Sequence, residues 1–105
     1  IKENAVGIEL VSSASTVMYN TIEENDIGIL ARGENIAVHS NNFVANRTFS
    51  LKVTTSHEEV DATGNWWGST DESAIQHSIY DYYDDLTVEK VIYGPYATAR
   101  IAGAP

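Results

Sequence analysis

The chain has 105 residues, 15 acids against six bases, and a formal net charge of −9. That length admits a single domain. The charge argues against a nucleic-acid backbone or an anionic membrane surface as partner, since both demand a basic footprint. There is no cysteine, which excludes disulfides, thiolate metal sites and cysteine nucleophiles, and no apolar run reaches the roughly 18 residues of a membrane span.

From its first residue the chain repeats. Ile1, Ile22, Phe43 and Trp67 follow one another at two equal steps and a third that is slightly longer. Other columns keep pace: Asn20, Asn41 and Asn65; Val17, Val38 and Ala62; Ile8, Ile29 and Leu51; Leu10, Ala31 and Val53. A fixed period of about 20 residues is the mark of a solenoid. Ile1 stands in a mid-repeat column, so the expectation is that the chain belongs to something longer. Within each coil, two short alternating stretches are separated by turn residues, as in 17–22 and 27–31 followed by the turn 32–35. Alternation at period 2 is the strand signal, and Val, Ile, Phe and Thr suit it. Asn, Gly and Ser at the corners tolerate a left-handed backbone, and Gly7 and Gly28 read as strand starts rather than phosphate loops.

Stacked coils pair in parallel about 4.8 Å apart, so like residues lie over like. The predicted interior stack is Ile1, Ile22, Phe43 and Trp67 beside Ile8, Ile29 and Leu51. Glu9, Leu30 and Lys52 point outward, as do Met18, His39 and Thr63. Asn20, Asn41 and Asn65 are expected to form a structural ladder, each amide bonding the next and the corner backbone. Asn4, Asn25 and Asn46 mark the following corner. The step from Gly28 to Ser50 is longer by one than that from Gly7 to Gly28, which implies one inserted residue.

After Asn65-Trp66-Trp67-Gly68 the period changes. Ala74, Ile75, Ile79, Tyr82, Tyr83 and Leu86 recur at three- and four-residue steps, predicting an amphipathic helix. Ser69 and Glu72 fit a capping box, with Asp71 a competing N-cap. Val88, Val91 and Tyr93 suggest an extended piece ended by Gly94-Pro95, and 97–105 reads as a loosely attached tail. The expected organisation is therefore 1–68 for about three coils, 69–96 for a capping helix and extended segment of the same domain, and 97–105 for the tail. Trp66, Ile75, Ile79, Tyr82 and Tyr83 would form the cap over the apolar cross-section that a solenoid exposes at its end.

Those terminal residues carry a resemblance. Asn65-Trp66-Trp67-Gly68-Ser69-Thr70-Asp71, Ala74-Ile75-Gln76, Ile79 to Asp85, Lys90-Val91 and Tyr93-Gly94-Pro95-Tyr96 together resemble the C-terminal end of right-handed parallel β-helix proteins of the pectin-lyase-like superfamily. Glu72 departs from the pattern, since relatives often carry proline there, a position that tolerates both. The resemblance implies a mainly β, right-handed parallel β-helix, located in the periplasm, at the cell surface or outside the cell. The superfamily includes polysaccharide lyases and hydrolases, carbohydrate-binding repeat proteins, surface-layer components and a periplasmic metallocofactor-maturation factor, and fold alone does not choose among them.

Catalysis by a glycosidase needs carboxylates gathered on one face, and a lyase needs a base beside acid-bound calcium. The acids here fall mostly in turns or on the predicted helix, and the column Glu9, Leu30, Lys52 holds one. No catalytic, cofactor-binding or metal-ligating residue is assigned. Calcium could bridge Glu23, Glu24 and Asp26 at their corner, although a solvated acidic corner is the plainer reading. His39, His57 and His77 have no ligand spacing between them. Asn46-Arg47-Thr48 is an N-glycosylation sequon. The expectation is thus a non-catalytic, capping and stabilising module of an extracellular or cell-surface β-helix protein, carbohydrate-associated or adhesive. The alternatives are the tail of a polysaccharide lyase or glycoside hydrolase with upstream catalytic coils, and a self-assembling surface protein. Expected partners are upstream coils or a second copy at the open N-terminal end, and a polysaccharide.

Overall fold

The computed structural model describes residues 2–12, 15–33, 35–55, 59–81 and 91–104. Ile1, His57, Tyr82, Tyr83, Leu86 and Val88 lie outside them. The elements in chain order are β1 (Val6–Ser12), β2 (Ser15–Met18), β3 (Thr21–Glu23), β4 (Ile27–Gly33), β5 (Ile36–His39), β6 (Asn42–Val44), β7 (Phe49–Thr55), β8 (Val60–Asp61), α1 (Glu72–His77), β9 (Ile79–Tyr80) and β10 (Val91–Ile92). The strands make three sheets, ordered β1-β4-β7-β9, β2-β5-β8-β10 and β3-β6, and every strand pairing is parallel. Each neighbour in a sheet lies one circuit later in the chain. The molecule is mainly β, and its parallel sheets fit a solenoid.

The register follows from burial. A parallel strand slipped by one residue would turn its apolar set to water, and here Ile8 pairs with Ile29, Ile29 with Leu51 and Leu51 with Ile79. Val17 pairs with Val38 and Ile22 with Phe43. The Phe43 and Trp67 rings stack at 4.6 Å with 10° between their planes. Ile22, Ile29, Val38, Phe43, Leu51 and Val53 are buried in one continuous core.

The coils come so close that two strand positions, in β1 and β4, have no space for a Cβ. One built on Gly28 would lie 2.5 Å from the Ser50 carbonyl oxygen, and one on Gly7 2.7 Å from that of Gly28. Backbone cannot yield as a side-chain end can. Gly28→Ala should therefore destabilise the chain by about 3 kcal/mol, the upper range for overpacking. Gly64→Ala is the control. Gly64 has φ +75°, and a Cβ there would meet nothing within 4 Å, so only the left-handed backbone penalty of about 1 kcal/mol applies. Urea midpoints of the two variants measure the difference.

Three expectations are corrected. The helix is six residues long, not an amphipathic helix running to Leu86. Ile79 lies in β9, where it extends the Ile8, Ile29, Leu51 column. The reason is hydrogen bonding: the Ser78 carbonyl, just past the helix, accepts from Ser50 N–H at 2.7 Å, so the backbone gains more by joining the sheet than by another turn. The Ile75-to-Ile79 spacing, which looks helical, joins a helix to a strand. Second, the winding does not stop at Gly68: β9 and β10 form a fourth row in two sheets, and α1 is spliced into that row.

The third correction concerns the tail, which is anchored. Ala97 N–H donates to the Asn65 carbonyl at 2.8 Å. Farther on, the Asn42 side chain accepts from Ile101 N–H at 2.6 Å and donates to its carbonyl at 3.2 Å. A side-chain amide that pairs both backbone groups of one residue holds it as a strand would. This contact buries Asn42 and Thr21 on the outer face of the third sheet, where Asn42 also donates to the Thr21 hydroxyl at 3.3 Å.

Candidate functional site

Two corners of each coil are built from asparagine. Asn41 Oδ1 accepts from Asn20 N–H at 3.0 Å, and Asn65 Oδ1 from Asn41 N–H at 3.0 Å. Each buried amide then turns its NH2 to carbonyls: Asn41 Nδ2 to Val17 and His39 at 2.9 and 3.0 Å, Asn65 Nδ2 to Val38 and Ala62, both at 2.7 Å. The residue before each asparagine is left-handed: Tyr19 (φ 57°), Ser40 (φ 56°) and Gly64 (φ 75°). The other corner repeats the device with Glu3, Glu24 and Ala45 at φ 61°, 56° and 54°. There Asn25 Oδ1 accepts from Asn4 N–H at 3.0 Å and Asn46 Oδ1 from Asn25 N–H at 3.2 Å. Asn46 Nδ2 donates to the Ile22 carbonyl at 3.0 Å, so a glycan on this sequon would have to break the corner.

On the outer face of the first sheet, Lys52 lies with its ammonium 5.0 Å from the Tyr80 ring centre, and Phe49 meets Tyr80 edge-on at 5.4 Å. Glu9 pairs with Arg32 at 2.7 Å, and Asp26 with Arg47 at 3.2 Å. All four side chains are about half exposed, so water and salt screen these pairs. Among the described residues, no three of His, Cys, Asp or Glu are gathered as metal ligands. Glu23, Glu24 and Asp26 share a corner without converging on a point that calcium could occupy.

Trp67 is buried against Phe43, whereas Trp66 is half-buried, bridged to Asn42 on the outward side. At α1 the N-cap is Asp71, whose carboxylate accepts from Ser73 N–H at 3.0 Å, rather than Ser69 in a capping box. Glu72 is used elsewhere: it accepts from the Tyr93 hydroxyl at 3.1 Å. Burial, together with this bond and the charge of Glu72, holds the Tyr93 phenol above the usual tyrosine range. Ile75 is the buried residue of the helix. Asp81, buried at the end of β9, accepts from Val91 N–H at 2.9 Å and so ties the start of β10 to the row.

One polar cluster escapes a reading residue by residue. On the outer face of the second sheet, His39 Nδ1 lies 2.8 Å from the Thr63 carbonyl oxygen, and His39 Nε2 lies 3.5 Å from Asp61 Oδ2. Asp61 Oδ1 accepts from the Thr63 hydroxyl at 3.0 Å and its N–H at 3.3 Å. Half of the signal is in the repeat: the step from His39 to Thr63 equals the one that takes Asn41 to Asn65. The outward column holds His39 and Thr63, and asking which polar residues flank that column would have added Asp61.

No helix among the described residues is long and apolar enough to cross a membrane. Comparison with curated proteins gives no match, and neither does comparison with solved structures. A family profile, described as periplasmic copper-binding protein (NosD), matches residues 1–82. That stretch holds the coil repeat, both asparagine corners, the paired tryptophans, α1 and β9, so the chain belongs to the NosD family.

Proposed function

We propose that this chain is a non-catalytic β-helix module that works outside the cytoplasm, closing and stiffening one end of a longer right-handed solenoid. The observation that carries this reading is the contrast between its two ends. At the fourth row Trp67, Ile75, Ile79 and Val91 are all buried. At the first row Ile8 and Leu10 are only partly buried. A stack finished at one end and open at the other is what a terminal module needs, because solenoids require a polar or covered last repeat. Upstream coils, or a second copy, would cover the open row. The outer faces of the sheets would meet a polysaccharide or a neighbouring protein. The family description supports a periplasmic location.

The same description names copper. The chain has no cysteine and one methionine, and its described residues hold no cluster of three or more His, Cys, Asp or Glu. They do not suit a closed metal centre.

The purified chain should be screened against acidic and neutral glycans with and without calcium. Retention on at least one polysaccharide, with no release of reducing ends or unsaturated products, is expected. Turnover by this chain alone would overturn the non-catalytic assignment, and the absence of any retention would overturn the carbohydrate-facing one.

A further inference from the structure

We propose that the outer face of the third sheet is a peptide-binding site. It takes an extended, non-acidic segment by its main chain, and in this chain it is filled by the tail 97–104. Ile22, Phe43 and Trp67 are buried inside the coils, so their chain neighbours Thr21, Asn42 and Trp66 form the outward column of that sheet. An outward side chain is ordinarily wet. Asn42 is nevertheless 0% exposed and Thr21 5%. The tail covers them as it runs from Ala97, on the Asn65 carbonyl, to Ile101, on Asn42.

Asn42 reads main chain. The Ile101 N–H can only donate and its carbonyl can only accept, so Asn42 turns Oδ1 to the first at 2.6 Å and Nδ2 to the second at 3.2 Å. Nδ2 also donates to the Thr21 hydroxyl at 3.3 Å, which fixes the plane of the amide. Pairing both polar groups of one residue is how an added strand is recognised, and it tolerates many sequences. The occupant here is Ala97-Thr98-Ala99-Arg100-Ile101-Ala102-Gly103-Ala104. Its small residues let a main chain lie close to the sheet. The net charge of −9 repels an acidic segment and favours a neutral or basic one.

The tail is also exchangeable. Ala97, Ile101 and Ala104 are half-buried, and the rest of 97–104 is exposed. A segment that buries so little opens at a fraction of the global stability. Opening leaves the face intact, because β3 and β6 pair with each other rather than with the tail. An incoming peptide then competes with a tethered one, whose effective concentration is on the order of 1 mM, and its apparent affinity falls by that occupancy. The site stands apart from the terminal-module reading and survives the loss of it.

The experiment uses the full chain and a fluorescent peptide copying residues 97–104, followed by anisotropy. Ile101→Pro in the chain removes the N–H that Asn42 holds and frees the face. That variant should bind the peptide at least about fivefold more tightly than the unaltered chain. A peptide with proline at the position of Ile101 should bind at least about tenfold more weakly, with one main-chain hydrogen bond gone; this comparison needs no further change in the protein. Adding Asn42→Ala to the Ile101→Pro chain should remove the difference between the peptides. In the unaltered chain the Ile101 amide should exchange at least about 100-fold faster than that of Phe43, which is bonded to the Trp66 carbonyl within the stack. Four results overturn the site: no binding to the Ile101→Pro chain, equal binding of the two peptides, equal binding by the altered and unaltered chains, or Ile101 exchange as slow as that of Phe43.

Discussion

Phe43→Ala should remove about 4 kcal/mol of stability, the middle of the range for emptying a buried aromatic site. Phe43 is 1% exposed and lies at the centre of the interior. Ile22 is in register on one side, and the Trp67 ring is stacked 4.6 Å away on the other. Two losses add. The transfer and cavity terms come from the missing ring, and the ring pair itself is worth about 1 kcal/mol beyond area. The rows cannot collapse into the gap, because their spacing is fixed by the parallel hydrogen bonds of β3 with β6 and of Phe43 N–H with the Trp66 carbonyl at 2.8 Å. A domain of this size has about 5–15 kcal/mol in total, so the variant should be close to unfolded at physiological temperature. Its thermal midpoint should fall by on the order of 20 °C. Phe43→Leu, which keeps most of the volume, should lose about 1–2 kcal/mol. Thermal melts followed by tryptophan fluorescence separate the two. A loss below about 1 kcal/mol for the alanine variant, the bottom of what a truncated core residue costs, would mean that the stacked column is not the core of the fold.

The coils are legible because each core residue has a copy one step away. The same step takes Ile22 to Phe43 and Asn20 to Asn41, and in space those pairs are adjacent strand partners or hydrogen-bonded neighbours. The fourth row is not legible. The step from Leu51 to Ile79 outruns the earlier ones because α1 is spliced between them, and the step from Val60 to Val91 is longer again. The insertion hides the period, and the Ile75-to-Ile79 spacing then imitates a longer helix. The tail anchor is illegible for a different reason. Asn42 and Ile101 are 59 residues apart, and a side-chain amide bonded to backbone leaves no pattern in apolar residues. Asn42 follows Asn41 in the chain yet serves the outer face, so in sequence its amide is indistinguishable from part of the same corner.

The outward polar pair of His39 and Asp61 is half visible. His39 and Thr63 occupy one outward column, but Asp61 lies two residues away on the diagonal, facing Ala37 rather than His39 in register. Columns predict which residues stand side by side. They do not predict which diagonal neighbours turn toward each other, and that is where the polar contact forms.

Asn41→Ala should cost about 3–4 kcal/mol, and the reason lies in the number of groups one amide serves. Its Oδ1 satisfies Asn20 N–H, and its Nδ2 satisfies the Val17 and His39 carbonyls and Asn65 Oδ1, the last at 3.1 Å. Asn41 itself is fully buried, so water cannot replace it. Each orphaned buried group costs about 1–3 kcal/mol, and partial relaxation brings the sum below a simple total. The same amide also offsets the strain of Ser40, held at φ 56° just before it; without it the corner has less reason to stay left-handed. Asn20→Ala provides the contrast within one column. Asn20 is not buried and its Nδ2 donates to the Met18 carbonyl at 2.9 Å, where water can substitute, so about 1 kcal/mol or less is expected. Asn41→Asp keeps the shape but replaces the donating NH2 by an acceptor that faces two carbonyls, and should lose at least as much as alanine. Denaturant titrations of the three variants give the ranking, with amide hydrogen exchange at Asn20 as the local readout. If Asn41→Ala and Asn20→Ala lose equal amounts, stability resides in the apolar columns alone, and the asparagine corners shape the backbone without holding it.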